Sequence, residues 1–268
     1  MRTRTPAVAG LFYPGQEDAL RELVEELLAQ APQQTQIQPK VLVVPHAGYV
    51  YSGALAARVY GLLADRRAAI KRVVLLGPAH RVWVPGLALP SDTAFATPLG
   101  VVGIDAELAA AVRDLPCVTT SDAAHAEEHS LEVQLPFLQT VLDDFTLLPL
   151  VVGGATPARV AAVLERVWGF DETLIVISTD LSHFHDLSTA RRIDAETAAA
   201  IEAFEIDLHG EQACGAAPLN GLLQVARQRS CRIERIGLAT SADTVGGADR
   251  VVGYGAWWLE EASLASVA

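Results

Sequence analysis

Short apolar runs alternate along this chain with segments in which apolar residues recur at helical spacing. The runs of Val, Leu and Ile predict strands at 41–46, 72–77, 145–152, 173–178 and 251–258. Between them, amphipathic spacing and capping residues predict helices at 16–30, 52–63, 105–113, 128–142, 158–168, 188–203 and 217–229. Pro136 is expected to kink the helix 128–142 or to mark a break in it. Strands that are joined through helical connections pack as a sheet with helices on its faces. The pattern therefore predicts an α/β fold, a single three-layer α/β/α domain over residues 1–268 with a mostly parallel or mixed central sheet.

Side chains that can bind metals follow three of these strands. His46 comes after VLVVP, His80 comes after VVLLGPA, and Asp180 and His183 come after TLIVIS. Open sheets of this class place their ligand crevice at the carboxyl ends of the strands, so we expect these side chains to meet in one pocket. Neutral imidazole binds iron, zinc and copper, and the pattern therefore indicates a metal site.

Each of these residues also has an ordinary structural interpretation. A single histidine at the end of a strand is more often structural than a ligand. Asp180 is equally consistent with a ligand, a helix cap, or the partner that fixes a histidine tautomer. His183 suits general acid/base work, because an unperturbed histidine titrates near neutral pH. His129 opens a predicted helix beside Glu128, where a charged helix start is the simpler interpretation.

The three cysteines are better interpreted as thiols than as disulfide partners, because their number is odd and no export signal precedes them. The protein is therefore expected to be cytoplasmic. Cys214 precedes a predicted helix, and a thiolate at a helix N-terminus has a lowered pKa. We expect Cys214 to be the most reactive thiol, although a buried, inert cysteine is the alternative, and we expect Cys117 and Cys231 to be structural.

Composition excludes several classes of function. The net charge of -12 argues against general nucleic-acid binding, which needs a basic face. No apolar run approaches the roughly 18 residues that a membrane span requires. The chain contains no GxxxxGK[ST] phosphate loop and no GxSxG nucleophile elbow.

Six segments in fixed order resemble the Memo family, whose prokaryotic members are also called AmmeMemoRadiSam system protein B. They are RTPAVAGLFYPG, PHAGYVYSG, LLGPAHR, EEHSLEVQLPFL, STDLSHF and CGAAPLNGLL, and the resemblance runs from Arg4 to about Leu259. It implies a fold similar to the LigB-like class III extradiol dioxygenases. It also implies metal ligands at His46, His80 and Cys214, with a thiol where those dioxygenases have a carboxylate. Asp180, His183 and His129 match the remaining polar positions of the pocket, as candidate acid/base and supporting residues.

The resemblance implies a metal-binding protein that holds iron or copper in a redox-linked role. Two imidazoles with a thiolate favour copper or zinc while still allowing iron. An active non-haem dioxygenase or other oxidoreductase, acting on a small and for example aromatic substrate, is the alternative, and a zinc hydrolase is a third possibility. Family association implies an Ammecr-type protein and a radical-SAM enzyme as partners, and neither nucleic acid nor membrane is expected.

Overall fold

The computed structural model describes residues 2–32 and 37–261 of the chain. Its strands, in chain order, are β1 (Thr3–Arg4), β2 (Val41–Val44), β3 (Arg72–Pro78), β4 (Leu87–Leu89), β5 (Ala94–Thr97), β6 (Gly100–Gly103), β7 (Val118–Thr120), β8 (Thr146–Val152), β9 (Thr173–Ser178), β10 (His183–His185), β11 (Arg232–Thr240) and β12 (Val251–Glu260). Its α-helices are α1 (Glu17–Gln30), α2 (Tyr49–Tyr60), α3 (Ala106–Arg113), α4 (Asp122–Ala126), α5 (His129–Glu132), α6 (Leu135–Val141), α7 (Pro157–Val167), α8 (Leu187–Glu202) and α9 (Ala216–Gln228). Short 3-10 helices occupy Gly61–Arg66 and Ser241–Asp243.

The central sheet is mixed, and its middle is parallel. Strands β2, β9, β3 and β8 lie side by side in parallel. Strand β12 pairs antiparallel with β2, and β4 pairs antiparallel with β8. Strand β9 therefore lies between β2 and β3, and all three carboxyl ends meet at the same edge of the sheet. This arrangement confirms the predicted fold class and the prediction that the five apolar runs belong to one sheet.

Alternating side chains of the central strands feed two apolar cores, one on each face of the sheet. In β2, Leu42 and Val44 pack on the face covered by α1, α2 and α6, whereas Val41 and Val43 pack on the face covered by α7, α8 and α9. All four are fully buried. Burying each aliphatic side chain is worth about 1.5–3 kcal/mol, so the continuous apolar runs have a direct physical cause.

One predicted helix is interrupted near Pro136, and another begins earlier than predicted. The helix 128–142 is divided into α5 and α6, which is the break that was one of the two expectations for Pro136, because proline lacks an N–H and its ring would clash with the carbonyl of Glu132 four residues earlier. The helix predicted to begin at Ser52 begins at Tyr49, with Gly48 as its N-cap. Ser52 therefore lies inside the helix, where its hydroxyl donates to the Ala47 carbonyl.

The segment 86–103, predicted to form short strands or a hairpin, contributes β4 to the central sheet and the hairpin β5–β6 to a second, three-stranded sheet with β1. Among the described helices, none is long and apolar enough to cross a membrane.

Candidate metal centre

Three histidines converge beyond the carboxyl ends of the parallel strands. His46 lies two residues after β2, His80 lies two residues after β3, and His129 is the first residue of α5. One ring nitrogen from each lies within 4.8 Å of the other two. The ring centroids of His80 and His129 are 4.6 Å apart, and that of His46 lies 5.1 Å from His80 and 5.4 Å from His129.

Hydrogen bonds to Ser178, the last residue of β9, determine the tautomer of His46. The Ser178 hydroxyl lies 2.6 Å from the Ser130 carbonyl and must donate its single proton there. It can therefore only accept at the 2.9 Å contact with His46 Nδ1, which is the protonated nitrogen. Nε2 of His46 is therefore unprotonated and keeps its lone pair. Burial, reinforced by the neighbouring histidines, holds the pKa of His46 well below its ordinary value, so the imidazole is neutral.

Glu128 orients His80 in the same way. Its carboxylate accepts from the His80 main-chain N–H at 2.6 Å and lies 2.8 Å from His80 Nδ1. It also accepts from the Ser130 N–H at 2.9 Å. Burial alone would raise the pKa of Glu128, but the bonds from His80 and Ser130 lower it to about 2, so the group is ionised. His80 therefore donates through Nδ1 and presents Nε2 to the cluster.

The N-terminal segment holds α5 and His129 in place. The Arg4 guanidinium donates to Glu132 at 2.6 Å and to the carbonyls of His125 and Glu128 at 2.7 and 2.8 Å. Glu132 is fully buried and also accepts from the Ala7 and Val8 N–H groups and the Tyr13 hydroxyl. The Phe12 ring then packs on His129 with centroids 4.8 Å apart. Burial lowers the pKa of His129 to about 4, so this imidazole is neutral as well.

Cys214 approaches the cluster from the turn before α9. Its sulfur lies 3.2 Å from His46 Nε2 and accepts from the Asp180 N–H at 3.3 Å. Among the described residues, the group whose donor atoms all lie within 4.8 Å of one another contains the three histidines and not Cys214. The sulfur therefore touches one edge of the cluster.

The expectation that Cys214 has a lowered pKa is wrong for the metal-free protein. Burial, together with the nearby Asp180 carboxyl, raises the pKa of the Cys214 thiol to about 12. The adjacent helix N-terminus does not compensate for the removal of the sulfur from water. The thiol is therefore protonated at neutral pH.

Asp180 supports His46 and adjoins an open cleft. One carboxyl oxygen accepts from the His46 N–H at 2.8 Å, and the other lies 3.9 Å from His46 Nε2. Burial raises the pKa of Asp180 to about 7. His183, in which burial lowers the pKa, lines the same cleft together with His129 and Asp180. The cleft measures about 500 Å³, and aromatic side chains of Phe12, Tyr51 and Tyr254 form much of its wall.

The structure thus brings His46, His80 and His129 together, places Cys214 and Asp180 against His46, and places His183 in the adjoining cleft. Glu128 and Ser178 are the residues that sequence reasoning missed as supports for the ligands. Glu128 stands next to His129 in the EEHS motif, and Ser178 begins the STD motif. In the sequence, only their positions in these two motifs indicate that they matter. The histidines that they contact, His46 and His80, follow other strands.

Comparison with known proteins gives matches that cover this whole site. A family model described as Memo-like protein matches residues 4–258. A MEMO1 family protein of Aquifex aeolicus is 37% identical over 267 residues, which cover 95% of this chain and 98% of the relative. The MEMO1 family protein MK0963 of Methanopyrus kandleri is 34% identical over 281 residues, covering 94% and 97%. A MEMO1 family protein of Archaeoglobus fulgidus is 32% identical over 265 residues, covering 94% and 97%.

Proposed function

This chain belongs to the Memo family, and from that membership and the geometry of its histidine cluster we propose that it binds a transition metal ion, iron or copper, in a redox-linked role. The observation that carries the proposal is the convergence of three imidazoles, each with a ring nitrogen within 4.8 Å of the other two. Two of them, His46 and His80, are fixed in the tautomer that leaves Nε2 free. Imidazoles that share no ligand would gain little from such a close approach.

The donor set fits a transition metal ion. Ligands bonded at about 2.0–2.3 Å in a tetrahedral arrangement lie roughly 3.3–3.7 Å from one another. The 3.2 Å separation of the Cys214 sulfur from His46 Nε2 is close to that range. We propose that His46, His80 and Cys214 bind the ion and that His129 is a further nitrogen donor on the side of the cleft. Imidazoles with a thiolate favour copper or zinc and accept iron.

The surrounding residues have defined tasks in this arrangement. Ser178 and Glu128 hold the rings of His46 and His80 through Nδ1. The Asp180 N–H points at the Cys214 sulfur and favours its thiolate form. The bound ion would supply the redox change, while the protein supplies the fixed donors and a cleft that leads to them.

An oxidoreductase, for example a non-haem dioxygenase, is the second candidate function. The cleft of about 500 Å³ favours it, because it opens onto His129, Asp180 and His183 and has room for a small molecule. His183 is neutral and can accept a proton at a ring nitrogen from a molecule in the cleft.

Titration of the metal-free protein with Fe(II) and Cu(I) under anaerobic conditions tests metal binding. We expect one tightly bound ion, and we expect His46→Ala, His80→Ala and Cys214→Ser each to lose most of the affinity. His183→Ala should retain the ion. His209→Ala is the matched control, because His209 is exposed and lies outside the cluster. Wild-type affinity in both His46→Ala and Cys214→Ser, with native circular dichroism, would refute the site.

Oxygen uptake distinguishes the two candidate functions. The iron-loaded protein is incubated with catechol-type compounds, and the His183→Ala variant serves as a comparison. Uptake that requires the metal and is lost in His183→Ala with the metal still bound would establish the enzyme. A tightly held metal without uptake supports the binding role, and a preference for zinc with hydrolysis of esters would instead favour a hydrolase.

A further inference from the structure

One arginine lies at the mouth of the cleft and has no acidic partner among the described residues. Arg250 lines the cleft, immediately before β12, and its side chain is exposed. Arg81 follows the metal-centre residue His80 directly and is also exposed. Within residues 2–32 and 37–261, neither arginine has a carboxylate oxygen within 4.0 Å, although many other arginines of this acidic chain are paired.

An unusual backbone conformation places an aromatic ring beneath Arg250. Phe184 has a φ of 63°, in the left-handed region that bulky residues avoid. Its side chain is 62% exposed. The Arg250 guanidinium lies over this ring, with its carbon 5.0 Å from the ring centroid. The same ring contacts His183, the other cleft residue, at 5.7 Å between centroids. A left-handed conformation costs energy for a phenylalanine. Its presence at this exposed position therefore points to a function for the Phe184 ring.

The contact with the Phe184 ring does not use the N–H donors of Arg250, and within the described residues no side-chain or main-chain acceptor binds them. A guanidinium presents these donors in a planar fork that matches the two oxygens of a carboxylate. In the cleft itself, the acidic lining residue is Asp180, which is buried and turned toward His46. The opening therefore presents positive charge, and the aromatic walls of Phe12, Tyr51 and Tyr254 suit a planar ring beside it.

We propose that the cleft admits a small organic carboxylate with a planar ring, whose carboxylate is held by Arg250 at the mouth while its other end faces the metal centre. The proposal rests on the proposed metal-binding function in one respect only, namely that the inner end of the ligand faces a metal ion. Arg250 is on this basis a specificity-determining residue. A neutral molecule of the same shape would fill the same space without the charged hydrogen bonds.

Binding of benzoate and of benzyl alcohol, measured by calorimetry or ligand-observed NMR, tests the proposal. The two probes share a ring and differ in charge. A charge-assisted hydrogen bond at an exposed position contributes modestly to binding, so we expect benzoate to bind roughly 10-fold more tightly. Arg250→Gln should remove that preference and leave benzyl alcohol binding unchanged. Arg113→Gln is the control, because Arg113 is exposed at the end of α3, outside the cleft.

Both the metal-free and the iron-loaded protein are titrated, so that this proposal and the proposed function fail separately. Arg250→Gln should retain wild-type metal affinity. If the protein binds no metal, the proposed function fails, and the benzoate comparison in the metal-free protein still decides the role of Arg250. Equal binding of the two probes to wild type, or benzoate binding to Arg250→Gln within twofold of wild type, would overturn the proposal.

Discussion

Replacing Glu128 with glutamine should weaken metal binding although Glu128 is not itself one of the proposed ligands. One carboxylate oxygen accepts from the His80 main-chain N–H, and the other accepts from His80 Nδ1 and the Ser130 N–H. An amide offers one acceptor oxygen and one NH₂ group. In its better orientation the substituted amide keeps two bonds and turns its NH₂ group toward the His80 N–H, so that two donors face each other.

The magnitude follows from these three contacts. One charge-assisted bond is lost at a position that is 2% exposed, and the other two lose their ionic character. We expect the free energy of unfolding of the metal-free protein to fall by about 2–4 kcal/mol. Because His80 loses the partner that fixes its ring, we expect metal affinity to fall by about 10- to 100-fold.

Competition with a chelator of known affinity measures the metal, and urea denaturation measures stability. Glu127→Gln is a matched control, since it removes the same charge from an exposed neighbouring residue. Metal affinity of Glu128→Gln within twofold of that of the Glu127→Gln variant would show that the carboxylate does not position His80.

Three further predictions concern stability and reactivity. Glu132→Gln should lower the free energy of unfolding by about 3 kcal/mol, because it leaves Arg4 buried beside a neutral group; urea denaturation with a loss below about 1 kcal/mol would contradict this. Burial lowers the pKa of His125 to about 4, so the contribution of His125 to stability, fully present above pH 6.5, should fall by up to about 1.4 kcal/mol per pH unit between pH 6.5 and 4, in addition to the contributions of the other histidines with lowered pKa values. His125→Gln should flatten that dependence in urea denaturation, and an unchanged slope would count against it. In metal-free protein, iodoacetamide should modify Cys214 far more slowly than glutathione at pH 7.5, because burial raises the thiol pKa to about 12; equal rates would refute this.

Much of the fold was predictable because buried central strands must be apolar on both faces. The runs at 41–46 and 173–178 are of this kind, and they occupy neighbouring strands of the observed sheet. The break between α5 and α6 was only partly predictable. Pro136 signals an interruption, but the helix ends four residues earlier, where the carbonyl of Glu132 would meet the proline ring.

The sequence predicted where the candidate ligands lie better than it predicted their pKa values. His46 and His80 follow buried strands, and a parallel sheet delivers both to one edge. The roles of Glu128 and Ser178 depend on which strands lie side by side, which local pattern does not reveal. The pKa of Cys214 was predicted in the wrong direction, because the sequence shows the helix that follows the thiol but not the burial that dominates it.

X-ray absorption spectroscopy of the copper- or iron-loaded protein tests the proposed metal centre most directly. We expect nitrogen neighbours at about 2.0–2.1 Å with the outer scattering of imidazole, and one sulfur at about 2.3 Å. The sulfur signal should disappear in Cys214→Ser, and the imidazole signal should weaken in His46→Ala and in His80→Ala. A shell of oxygen neighbours without imidazole scattering, or a spectrum that none of these substitutions changes, would contradict the proposed centre.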